Sequence, residues 1–180
     1  TRIERVLPTL RELSEKGAKI ILLAHFGRPR GRPDPAMSLQ PVVASVAELS
    51  GLPVAFAADC IGGVAATAVA ELADGGILVL ENTRFHPGEE KNDAAFADAL
   101  AEIGDIYVND AFSAAHRAHA STEALARRLP AFAGRAMQAE LEALEKALDN
   151  PKHPVVAVVG GAKVSSKIEL LANLIEKVDA

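Results

Sequence analysis

Short, continuous apolar runs alternate along the chain with longer segments whose apolar residues recur every three or four positions, a pattern that predicts strands interleaved with helices. Ile3, Val6, Leu7, Leu10 and Leu13 share one face of a helix over 3–15, in which Pro8 is tolerable near the first turn and otherwise implies a kink. After the Gly17 break, residues 19–24 read as a buried strand that hands over to a loop at 25–33. Ser38 reads as the N-cap of a second helix, with Pro41 in its first turn, Val42, Val43, Val46 and Leu49 on one side, and Gly51 at its end. Residues 53–57 form a second strand, an alanine-rich helix runs to about Ala73, and residues 77–80 form a third strand. Asp93 is placed to cap a helix that buries Phe96, Leu100 and Ile103, and a fourth strand at 106–108 leads into a long, small-residue loop. Leu125 and Leu129 suggest a short helix, and 137–148 is a run of strong helix formers ended by Asn150 and Pro151. The β-branched run at 155–159 predicts a buried fifth strand, and Ser165 or Ser166 opens a last helix with Ile168, Leu171, Leu174 and Ile175 inward.

Continuous apolar strands separated by helices predict an α/β fold, a parallel sheet with helices on both faces in a Rossmann-like three-layer lobe. The polar-rich helix at 136–150, followed by Pro151 and Pro154, reads as a link between lobes. The expected organisation is therefore a first lobe at 1–135, an interdomain helix at 136–150, and the first βα unit of a second lobe at 151–180.

Composition narrows the function classes. A net charge of −5 argues against a general nucleic-acid binder, whose footprint is a broad basic face. The single Cys60 cannot form an intramolecular disulfide, and beside Asp59 it reads as a packed thiol rather than a nucleophile. No apolar run approaches the roughly 18 residues that span a bilayer, so the expectation is a cytoplasmic protein that engages no membrane.

The candidate chemistry lies at the strand ends, where parallel sheets gather loops and helix N-termini around ligands. His25 and Arg28 follow the first strand, Arg84 the third, His116 and Arg117 the fourth, and Lys163 the expected fifth. Four cationic strand ends in an acidic chain point to a phosphate or carboxylate ligand, because guanidinium groups bind oxyanions through paired donors and stay charged. The plain alternatives are a solvated basic loop, or cations that pair with Glu81, Glu89 or Asp110. Residues 160–167, GGAKVSSK, combine a glycine pair, a lysine and a helix start, a combination that can cradle phosphate. They match neither a Walker A loop nor a dinucleotide fingerprint. The chain contains no Gly-x-Ser-x-Gly elbow, and the histidine spacing fits no short zinc pattern, so no metal site is expected from these residues.

Four stretches together resemble the phosphoglycerate kinase family: His25-Phe26-Gly27-Arg28-Pro29, Glu81-Asn82-Thr83-Arg84-Phe85, Asn109-Asp110-Ala111-Phe112 with Ala115-His116-Arg117-Ala118-His119, and the run from Val159 through Gly160, Gly161 and Lys163 to Lys167. They occur in the family's order over essentially the whole chain. The resemblance implies a two-lobed glycolytic kinase, a transferase that moves a phosphoryl group between 1,3-bisphosphoglycerate and ADP to give 3-phosphoglycerate and ATP, with Mg2+ entering as the metal–nucleotide complex. It implies that His25, Arg28, Arg84 and Arg117 hold the phosphoglycerate, with Phe26, Gly27 and His116 beside them. Arg2 and Lys163 would face the migrating phosphoryl group, while Gly160, Gly161, Lys163 and Lys167 would serve the nucleotide. Such chemistry rests on positioning and charge neutralisation rather than covalent help.

Ala24 stands where the family commonly has serine, a mild departure. The family's opening strand would precede Thr1 and most of its nucleotide lobe would follow Ala180, so the chain resembles the first lobe plus one βα unit and is expected to be inactive by itself. A monomer is the expected state. The alternative carried alongside is a non-catalytic phosphosugar or anion-binding α/β module.

Overall fold

The longest unbroken buried stretch, residues 76–84, runs through the centre of the fold. The computed structural model describes residues 2–149, 151–159, 168–175 and 177–179. Helix α1 (Arg2–Glu15) continues through Pro8 without interruption, although a proline contributes no N–H to the helix. Strand β1 (Ile20–Leu22) follows, then α2 (Val42–Ser50), β2 (Val54–Ala57), α3 (Gly62–Glu71) and β3 (Ile77–Leu80). Next come α4 (Ala94–Ala101), β4 (Tyr107–Asn109), the short α5 (Phe112–Ala115), β5 (Ala131–Ala133), α6 (Arg135–Leu148) and α7 (Ile168–Ile175).

Strands β1, β3 and β2 pair in that order, all parallel, with Ile77 in register with both Ile20 and Val54. The middle strand is buried along its whole length, which is why its sequence is continuously apolar rather than alternating. Ile20 and Ile77 pack on Leu10 of α1 and Val46 of α2, whereas Leu78, Leu80 and Ala57 pack on Ala65 of α3 and on Phe96, Ala97 and Leu100 of α4. Helices therefore cover both faces, as the strand pattern requires. A second parallel pair joins β4 to β5, with Tyr107 beside Ala131 and Asn109 beside Ala133.

Local expectations hold where a single side chain decides them. Gly51 ends α2 in the left-handed conformation at φ 73°, and the Asp93 carboxylate caps α4 by accepting from Phe96 N at 2.9 Å. Ser38 behaves differently. Its hydroxyl donates to Glu81 Oε2 at 2.6 Å and accepts from Gln40 N, so α2 starts at Val42 with no side-chain cap. A buried carboxylate needing donors takes the serine that a solvated helix end can do without.

Three further departures follow from pairing that sequence patterns do not carry. Strand β5 is three residues between Pro130 and Gly134, too short to show a period, and takes its form from β4 alongside. The loop at 111–122 is partly regular, holding α5 and the start of a π-helical turn at Ala120–Ala124. The run at 155–159 is not a strand: Val156 and Val159 are exposed and Val158 is 94% exposed. A buried parallel strand requires ladder partners at its edges, and among the described residues the backbone of this run pairs only with Asp179, at Val155. Ile168 and Ile175 of α7 are likewise exposed rather than inward.

The chain divides into two compact units, Thr1–Gln138 and Ala139–Ala180, with the division inside α6. In the second unit Asp179 Oδ2 accepts from Val155 N and pairs with His153 Nδ1, each at 2.7 Å, and both contacts hold its carboxyl below the usual carboxylate range. Among the described residues no helix is long and apolar enough to cross a membrane.

Candidate functional site

The site is built by the segment that leaves β3. Glu81, Asn82, Thr83 and Arg84 are all buried, and each bonds to the loop that leaves β1 or to the turn beyond it. Glu81 accepts from Ser38 Oγ at 2.6 Å, Leu39 N at 2.8 Å and Asn82 N at 2.7 Å. Fully buried Asn82 donates through its side-chain amide to the carbonyls of Phe26 at 2.8 Å and Met37 at 2.9 Å, while its Oδ1 accepts from Arg84 N at 3.1 Å. The backbone and hydroxyl of Thr83 both donate to the carbonyl of Ala24. Strands β1 and β3 are neighbours in the sheet, so their exits lie side by side and this polar cluster locks one exit to the other.

Arg84 is 5% exposed and donates through Nη1 to the Gly27 carbonyl at 2.8 Å. Its Nε lies 3.2 Å from Glu90 Oε1 without hydrogen-bond alignment, leaving that buried donor with no hydrogen-bond partner among the described residues. Gly27 sits at φ 64°, and a Cβ there would come within 2.6 Å of Met37 Sδ, so the loop needs glycine for both conformation and space.

The third component comes from the chain after β4. Glu89 is fully buried and accepts from Ser121 N at 3.0 Å and Ser121 Oγ at 2.6 Å; its backbone carbonyl accepts from Ala120 N at 2.9 Å. These bonds hold the 116–122 segment beside the first two loops. His119 Nδ1 lies 3.8 Å from Glu89 Oε1, and the His25 and His119 rings meet edge to face at 6.5 Å. Burial first, then the positive charges of Arg84, Arg117 and His119, hold His25 down to about 4 against an opposing pull from Glu90. At neutral pH His25 is an uncharged imidazole among cations, able to donate from one nitrogen and accept at the other.

The structure thus brings together His25, Arg84 and Arg117 of the expected residues, with Phe26 and Gly27 on the same loop. Arg28, His116 and Arg117 are exposed, and so is Arg2 at the start of α1. Gly160, Gly161, Lys163 and Lys167 lie outside the described residues. Sequence reasoning did not select Asn82, Glu89, Glu90 or His119 as site residues. The available signal was the polar run directly after the apolar β3, since polar residues that stay buried must be spending their hydrogen bonds on something specific.

Fold and site define a parallel α/β protein whose strand ends converge cationic and imidazole groups on one another. The family model for phosphoglycerate kinase matches residues 1–180. Among curated proteins, a phosphoglycerate kinase of Sinorhizobium fredii is 72% identical over 180 residues, and one of Methylobacterium radiotolerans 70% over 179. Each alignment takes in 99–100% of this chain and 45% of the relative, so the chain spans a little under half the length of the curated relatives it matches. Among solved structures, phosphoglycerate kinase from Coxiella burnetii aligns with TM-score 0.81 at 40% identity, covering 97% of this chain and 44% of that one. The Pyrococcus horikoshii enzyme aligns with TM-score 0.84 at 33% identity, covering 98% and 45%. The chain belongs to the phosphoglycerate kinase family.

Proposed function

We propose that this chain supplies the phosphoglycerate-holding half of a phosphoglycerate kinase, which moves a phosphoryl group between 1,3-bisphosphoglycerate and ADP. In this reading residues 1–135 are the phosphoglycerate lobe, 136–150 the connecting helix, and 151–180 the start of the nucleotide lobe. One observation carries it most directly: a buried arginine, ion-paired to Glu90 at 3.2 Å, keeps an Nε with no aligned hydrogen bond, close to a neutral histidine and an exposed arginine. A buried guanidinium donor without a hydrogen bond is costly, and a carboxylate or phosphate oxygen is the ligand that relieves the cost.

Each role follows from the chemistry of its group. Arg84 and Arg117 neutralise and orient the anionic substrate, and His25 adds a donor without adding charge. Arg28 reaches it from an exposed and therefore adaptable position. Arg2, outside the buried cluster, is assigned to the migrating phosphoryl group. ADP or ATP enters with Mg2+ as the metal–nucleotide substrate, and Gly160, Gly161, Lys163 and Lys167 are the residues assigned to it. No covalent intermediate with the protein is needed, because positioned cations stabilise the charge that builds on the transferred group. A monomer in the cytoplasm completes the proposal.

Calorimetric titration of the chain with 3-phosphoglycerate tests it. Binding that is lost in both Arg84→Ala and Arg28→Ala is the expected result. Binding indifferent to both substitutions would leave a generic anion surface. ATP formation from 1,3-bisphosphoglycerate and ADP is expected to be absent in this chain and present in a protein of the relatives' full length; near-normal turnover by the chain would overturn the assignment of a half-site.

A further inference from the structure

A second cluster lies on the other side of β3, outside the residues assigned to phosphoglycerate. Strand β2 ends at Ala57, in register with Leu80 of β3, so the residues that follow each strand emerge side by side. One exit carries Asp59 and Cys60; the other folds through a 3₁₀ turn at Thr83–Phe85 and presents His86. Three potential ligand atoms, an Asp59 carboxylate oxygen, Cys60 Sγ and a His86 ring nitrogen, all lie within 4.8 Å of one another. Asp59 Oδ1 already accepts from His86 Nε2 at 2.7 Å and from Cys60 N at 2.7 Å. The His86 ring is stacked on Phe96 at 5.0 Å, which fixes its plane. The thiol is fully buried, whereas the Asp59 and His86 side chains are 40% and 27% exposed, leaving an approach from solvent.

We infer that Asp59, Cys60 and His86 form a binding site for a thiophilic divalent cation of the Zn2+ class, with water in the fourth position. The donor set of one sulfur, one imidazole nitrogen and one carboxylate oxygen suits a borderline-soft ion and poorly suits Mg2+ or Ca2+, which take oxygen ligands. A tetrahedral site with bonds of about 2.0–2.3 Å places its ligand atoms about 3.3–3.8 Å apart. The cluster reaches that spacing if the Asp59–His86 pair opens by less than about 1 Å and Sγ turns inward by a similar amount, which are side-chain adjustments rather than a refolding.

The electrostatics favour the ion over a reactive cysteine. The carboxylates of Asp59, Glu89 and Glu81 around the buried Cys60 set up a negative field that attracts a cation. On binding, the S–H bond gives its proton to solvent and the sulfur donates to the metal. His86 gives up to solvent the Nε2 proton it donated to Asp59 and takes one from solvent at Nδ1, so that it ligates through Nε2 as a neutral imidazole, and the Asp59 carboxylate exchanges its hydrogen bond to His86 for the metal. This site does not depend on the phosphoglycerate reading, and its test reads metal binding rather than turnover.

The experiment is titration of the metal-free chain with Co2+, followed by displacement with Zn2+. The expected result is one equivalent per chain, with a near-ultraviolet thiolate-to-cobalt band and visible bands of four-coordinate cobalt that Zn2+ abolishes. Cys60→Ser should lose the thiolate band. His86→Gln should weaken binding by about tenfold or more, since even removing a group behind the ligands costs that much. Zn2+ should raise the melting temperature of the unsubstituted chain and leave that of His86→Gln unmoved. No thiolate band at one equivalent overturns the site, as does Co2+ binding that is unchanged in His86→Gln, which would place the ion on other histidines. If Cys60→Ser fails to fold, the His86→Gln comparison decides, because that side chain is partly exposed.

Discussion

Thr9 Oγ1 donates to Asp110 Oδ2 at 2.6 Å, joining the middle of α1 to the exit of β4 across 101 residues. The pair has a second task. Arg135 N donates to Thr9 Oγ1 at 2.8 Å and Met137 N to Asp110 Oδ1 at 3.0 Å, so the first turn of α6 is capped by side chains from two distant elements. The segment before α6 has no serine, threonine, asparagine or aspartate next to its start. The N–H groups of Arg135 and Met137 take their acceptors from the fold instead, and Gly134 is required because a Cβ there would fall on the Asp110 carboxylate.

Asp110→Ala removes both acceptor oxygens and is expected to cost about 1–3 kcal/mol of stability, the range for buried donors left unpaired and for hydrogen bonds to a charged group. Urea denaturation followed by circular dichroism measures it. Gly134→Ala should be destabilising in the same direction, and a neutral result for both substitutions would remove the remote cap.

Asn82→Ala should loosen the substrate loop. It deprives the Phe26 and Met37 carbonyls of their amide donor and Arg84 N of its acceptor, in a residue with no exposed surface. A loss of about 2–4 kcal/mol is expected, combining unpaired groups with a cavity. Hydrogen exchange should quicken at 24–28 and 82–84 relative to β3 itself. Unchanged exchange in those segments would contradict the locking role.

His25 makes stability depend on pH. Folding lowers its pKa from 6.5 to about 4, so between those values the unfolded chain binds a proton that the folded chain excludes. Stability from this group therefore falls as pH drops from 6.5 toward 4 and is level above about 7. Denaturation midpoints measured from pH 5 to 7.5 should show that slope in the parent and a flatter one in His25→Gln. Identical slopes would mean that His25 titrates normally. An anionic ligand at the site should raise the His25 pKa, visible in the NMR titration of its ring proton, because the ligand offsets the neighbouring cations.

Leu78→Ala tests the three-layer core. Leu78 is fully buried at the centre of β3 and belongs to the cluster under α3 and α4. A cost of about 2–5 kcal/mol is expected from lost transfer energy and the cavity left behind. The same substitution at exposed Leu144 should cost less than about 1 kcal/mol. Equal costs would argue against the described packing.

The order of strands and helices from α1 to β4 was legible from periodicity, because burial on one face or both leaves its mark within a few residues. The continuous apolar β3, the Asp93 cap and the Gly51 stop were each decided locally. So was the placement of cations at strand exits, since a parallel sheet sends all such exits to one edge. Tertiary structure alone decided which groups meet. Arg84 reaches Gly27 across 57 residues because β1 and β3 are neighbours, and Asp59 reaches His86 because β2 flanks β3 on the other side. Strand order, which differs from chain order, sets those meetings. Burial and the field of the assembled charges then set the neutral state of His25. The exposed run at 155–159 marks the limit from the other direction, for β-branched residues specify an affinity for a sheet, and only neighbouring strands make them one.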